Sequence, residues 1–68
     1  MDTGLALRRL QQERVVANVD IASALGIHPQ TVCRWRDYQD LKVSKCQKLA
    51  SFFGLTLEEF LAYGLLED

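Results

Sequence analysis

Along this 68-residue chain, apolar residues recur every three or four positions, and punctuating residues divide that recurrence into five segments. In "LALRRLQQERVV", Leu7, Leu10 and Arg14 are spaced so that one helix face is apolar and the other basic. Asn18 suits the N-cap of a short second helix in which Ile21, Ala22 and Leu25 share a face. Gly26 follows where a helix end needs a left-handed residue, and Pro29 suits the first turn of a third helix. Val32 and Trp35, three apart, form that helix's inward stripe. After "DYQDLK", a fourth helix steps Val43, Cys46, Leu49, Ala50 and Phe53 along one face and stops at Gly54. "TLEE" is a capping box for a fifth, with Leu57, Phe60 and Leu61 turned inward. No segment alternates with the period of a strand. The pattern predicts an all-α, compact five-helix bundle.

The length suits a single domain spanning residues 1–68, and 49% hydrophobic content argues for a packed core over disorder. No apolar run reaches membrane-spanning length. The start, "MDTGLALRRL", carries its basic pair after the apolar residues, unlike a signal peptide. A cytoplasmic protein is expected, with Cys33 and Cys46 as reduced thiols. Two cysteines and one histidine offer no zinc spacing, so no metal or cofactor is expected.

A net charge of −1 does not by itself suggest nucleic acid. Its distribution changes the picture. Residues 34–48 carry Arg34, Arg36, Lys42, Lys45 and Lys48 against Asp37 and Asp40, whereas residues 49–68 carry Glu58, Glu59, Glu67, Asp68 and no base. Local positive charge is what a phosphate-facing surface needs.

The stretch "DIASALGIHPQTVCRWR" combines these signals. Ala22 and Gly26 are small enough for two helices to approach steeply, Ile27 fills the angle, and Val32 and Trp35 close the same small core. On the opposite face of the third helix fall Gln30, Cys33, Arg34 and Asp37. Glutamine can bond adenine at two points and arginine can do the same with guanine, so Gln30 and Arg34 are candidate base readers. Cys33 lies on that face, and Thr31 either meets a thymine methyl or phosphate or is structural. His28 caps the third helix at the surface, with contact to a phosphate as the alternative. Oxidation of Cys33 would block docking of this face, but only Arg34 and Arg36 stand near enough to activate it. Cys46 reads as a small core residue.

"NVDIASALGIHPQTVCRWRD" resembles the helix-turn-helix of the lambda-repressor and Cro-like regulators, with the motif at about residues 18–37. Ile21, Ala22, Leu25, Gly26, Ile27, Val32 and Trp35 stand in that family's spacing. Leu7 and Leu10 resemble its first helix, and "KCQKLASFFGLTLEEFL" its fourth and fifth. The resemblance implies a sequence-specific regulator of double-stranded DNA, with the third helix in the major groove. It places Lys42 and Lys45 near the DNA backbone at the start of the fourth helix. It also makes Asn18 a phosphate ligand, with a shorter reach than the family's usual glutamine.

One departure concerns charge. Where the family pairs a glutamate after the tryptophan with an arginine on the first helix, this chain has Arg36 and Gln11. Both partners are absent together, which leaves Arg36 for Glu13 or a phosphate. The connection after the third helix also lacks the family's usual glycine and proline, so its path is not read from the sequence.

A homodimer on an inverted repeat is expected, because two-fold symmetry adds the second half-site at high effective concentration. Tyr63, Leu65 and Leu66 in "LAYGLLED" are the interface candidates, unless they fold back to finish the core. A chain this short suggests repression by occupying a promoter, without a small-molecule ligand. The rival reading is a helix-turn-helix module for protein contacts, antitoxin-like, which the pI of 5.7 favours slightly. No catalytic set is evident: one histidine, no phosphate-binding glycine loop, and adjacent Glu58 and Glu59 that diverge on a helix.

Overall fold

Five α-helices follow one another in the computed structural model, which describes residues 2–65: α1 (Thr3–Arg14), α2 (Asn18–Leu25), α3 (Pro29–Trp35), α4 (Val43–Phe52) and α5 (Leu57–Ala62). No strand occurs among the described residues. The radius of gyration is 10.7 Å, close to the ~11 Å of a compact chain of this length. α2 packs most extensively on α3 and α4 on α5, while α1 lies against both α3 and α5. Leu7, Leu10, Ile21, Val32, Leu49 and Phe60 fill the centre, all without solvent exposure.

Most helix ends follow local chemistry. Gly26 (φ 68°) and Gly54 (φ 72°) take the left-handed conformation that ends α2 and lets the chain turn after α4. Pro29 opens α3. The Thr56 hydroxyl accepts the Glu59 N–H at 3.1 Å, and the Glu59 carboxylate accepts the Thr56 N–H at 2.9 Å.

Four details differ from the sequence reading. Ala17, not Asn18, is the N-cap of α2, because the Asp20 carboxylate reaches back to the Ala17 N–H at 3.0 Å while the Asn18 side chain is held elsewhere. A Cβ on Gly26 would meet open space, so its role is backbone conformation and not close helix approach. Val43 is 59% exposed and stands off the face formed by Cys46, Leu49, Ala50 and Phe53. α1 stops at Arg14, and Val15 is left-handed at φ 53°, 89% exposed. That conformation costs a β-branched residue roughly 1–2 kcal/mol.

The remaining order comes from contacts between distant segments. Asp2 caps α1 through the Leu5 N–H at 2.9 Å. The next free N–H groups of that helix, from Thr3 and Gly4, donate to the carbonyls of Gln39 (3.2 Å) and Tyr38 (2.7 Å). The Thr3 hydroxyl donates to the Tyr38 carbonyl at 3.1 Å and accepts the Leu41 N–H at 2.9 Å. These bonds set the path of the α3–α4 connection. Gly4 permits them: a Cβ there would lie 2.6 Å from the Tyr38 carbonyl oxygen and 2.8 Å from the Arg36 carbonyl carbon. Gly64 does the same on the other side of α1, where a Cβ would collide with the Asp2 carbonyl oxygen. Arg9 donates to the carbonyls of Tyr63 and Leu65, both at 2.9 Å, and Arg14 donates to that of Phe53 at 3.1 Å. Two arginines of α1 therefore meet carbonyls at the ends of α4 and α5, where the helix dipoles favour positive charge.

Candidate nucleic-acid interface

α3 is held from within. Val32 and Trp35 are buried, Pro29 presets its first turn, and the imidazole of His28 accepts the Gln30 N–H at Nδ1, 3.1 Å away. The His28 carbonyl takes the Thr31 N–H at 2.9 Å. Acceptance at Nδ1 uses that nitrogen's lone pair and leaves Nε2 facing outward from the cap. The cap expected of His28 is therefore present.

With its inner face buried, α3 leaves Gln30, Cys33 and Arg34 exposed, and Thr31 half-buried. Asp37, expected on the same helical face, lies beyond the end of α3 in a turn where its N–H meets the Arg34 carbonyl at 2.9 Å. The outward stripe is thus one turn shorter than its sequence spacing suggested.

Asn18 and Arg36 meet in a cleft of about 670 Å³ between α1, the start of α2 and the end of α3. Arg8, Gln11 and Gln12 also line it, and no acid does. Gln11 is 6% exposed and donates from Nε2 to the Asn18 side-chain oxygen at 2.8 Å and to the Val16 carbonyl at 3.2 Å. Its Oε1 and the Arg36 Nε are both shielded from solvent without a hydrogen-bond partner. Glu13, the alternative partner for Arg36, faces Tyr63 instead: hydrogen bonding with that carboxylate, aided by desolvation, raises the Tyr63 phenol above its usual pKa.

Lys42 is exposed at the N-cap of α4. Lys45 is half-buried, with its ammonium 5.5 Å from the centre of the Trp35 ring, a cation–π contact that ties α4 to α3. Neither lysine lines the cleft. Cys46 is buried, and its thiol donates to the Leu41 carbonyl at 3.6 Å. Burial, with a smaller contribution from Asp40, raises its pKa and keeps it protonated. Tyr63 is half-buried against the core, whereas Leu65 is 45% exposed; Leu66 lies outside the described residues.

Sequence reasoning missed Arg8 and Gln12 as cleft residues. Arg8 follows Leu7 at a position facing away from the core, and only the fold brings the start of α2 and Arg36 to the same cleft. No three His, Cys, Asp or Glu side chains gather as a metal site among the described residues, and no described helix is long and apolar enough to cross a membrane. Compared with protein-family models, curated proteins and solved structures, the chain matches none.

Proposed function

We propose that this protein is a sequence-specific regulator of double-stranded DNA, with α2 and α3 as a helix-turn-helix of the lambda-repressor and Cro-like kind. The observation that carries this reading is α3 itself: a short helix buried along Val32 and Trp35 that presents Gln30 and Arg34 outward. Residues near the N-terminus of such a helix reach base edges in the major groove, where Gln30 suits adenine and Arg34 guanine. The acid-free cleft holding Arg8, Asn18 and Arg36 suits a backbone phosphate, which fixes register without reading sequence. Lys42 and Lys45 add positive charge at the start of α4, with the Lys45 ammonium held over the Trp35 ring.

The protein acts as a homodimer on an inverted repeat, with Leu65 as the exposed apolar candidate for the contact, and represses by occupying a promoter. Selection of sites from a random duplex pool at near-physiological salt tests the reading. An enriched inverted repeat is expected. Arg34→Ala is expected to cost about 1–3 kcal/mol on that repeat and to relax preference at one base pair. Unchanged binding by Arg34→Ala would remove α3 from the groove. No enrichment would move the fold to protein contacts.

A further inference from the structure

Gln11 is almost wholly buried, yet only half of its amide is used. The nitrogen end donates to the Val16 carbonyl and to Asn18 Oδ1, which settles which way the amide faces. Because Asn18 Oδ1 is taken, the Asn18 NH₂ group is the end left to donate. The oxygen end of Gln11 has no donor, and on the wall of the same cleft Arg36 Nε has no acceptor. Each supplies what the other lacks. A buried polar atom without a partner costs about 1–3 kcal/mol, a cost that pairing the two in the bound state would recover.

We propose that Gln11 is a positioning residue for a phosphate of the DNA backbone, acting through Asn18 and Arg36; this rests on the DNA-binding reading above. An anion in the cleft draws the guanidinium inward, Arg36 Nε–H seats on Gln11 Oε1, and the terminal nitrogens of Arg36 point at the phosphate oxygens. The same amide holds Asn18 with its NH₂ group outward. One buried side chain thereby aims two phosphate donors without touching the phosphate.

The test measures affinity for a duplex across several salt concentrations, together with melting temperature, for the full chain. The dependence of log affinity on log salt is expected to be shallower by about 0.9 in Gln11→Met, the loss of one phosphate contact. Arg36→Gln should lose the same amount of salt slope, and the double variant should be no worse than Gln11→Met. Arg36→Lys keeps the charge but lacks the Nε–H group; it should bind roughly tenfold more weakly than the wild type, a factor equivalent to about 1.4 kcal/mol, and this variant serves if Gln11→Met does not fold. A lower melting temperature in Gln11→Met with an unchanged salt slope would make Gln11 merely structural and overturn the proposal. So would losses in the double variant that equal the sum of the two, or wild-type binding by Arg36→Lys. If the wild type retains no DNA, the DNA-binding reading and this one both fall; if it binds and only the Gln11 effects are absent, this one alone does.

Discussion

At the start of α1, the N–H groups of Thr3 and Gly4 go to carbonyls of the distant α3–α4 connection, beside a local cap from Asp2; at the start of α3, the N–H groups of Gln30 and Thr31 go only to His28, immediately before the helix. The first arrangement is buried and joins parts of the chain far apart in sequence. Thr3 and Gly4 have little exposure, and their backbone and hydroxyl bonds reach Tyr38, Gln39 and Leu41. The second is exposed and local, and it leaves the side chains of Gln30 and Arg34 uncommitted to the fold. A helix start can therefore serve as a joint or as a presenting edge, depending on whether its N–H groups are taken by tertiary or by local partners. Stability belongs to the joint in this molecule, and the proposed recognition to the edge.

Substitutions at the two ends should separate these roles. The largest effect is expected for Gly4→Ala, whose Cβ would overlap backbone atoms of Arg36 and Tyr38 that cannot rotate away. It should lose about 3 kcal/mol of stability in chemical denaturation. A variant as stable as the wild type would mean that α1 and the connection do not approach this closely. Thr3→Val keeps the shape but leaves the Leu41 N–H without its acceptor, at about 2 kcal/mol, read from the same unfolding curves. The smallest loss, about 1 kcal/mol, is expected for His28→Ala, which removes a single exposed cap. Amide hydrogen exchange should quicken at Gln30 in that variant and stay unchanged at Gly4. Equal quickening at both ends would erase the distinction between joint and edge.

The features legible in the sequence share a short range. The left-handed turn at Gly26, the proline opening α3, the Thr56–Glu59 capping box and the burial of Val32 with Trp35 each depend on residues within one or two helical turns. The candidate reading face was legible for the same reason, since a known inner stripe defines its opposite. Its extent was not. α3 ends at Trp35, and nothing in the spacing of Asp37 shows that the helix has already stopped. Asn18 looked like a cap because its residue type suits one, but Asp20 serves that N-terminus and Gln11 occupies the Asn18 oxygen.

The cleft illustrates the other limit. Arg8 and Gln11 come from α1, Asn18 from α2 and Arg36 from the residue after α3, and no local pattern links them. Gln11 stood out only as a departure from a familiar pairing. Its burial, its split amide and the unpartnered Arg36 Nε appear once α1, α2 and α3 are packed.

By itself, the sequence determined five helices, most of their ends and the inner face of α3, because capping, left-handed turns and amphipathic spacing act between near neighbours whose geometry the backbone constrains. Tertiary structure alone decided that Thr3 and Gly4 receive the α3–α4 connection, that Gly64 lets the chain after α5 close on Asp2, and that Arg9 and Arg14 meet carbonyls at the ends of α5 and α4. A glycine needed for close approach looks like any other glycine until the second backbone arrives, and an arginine on an exposed face has no assigned partner until another helix end is packed beside it.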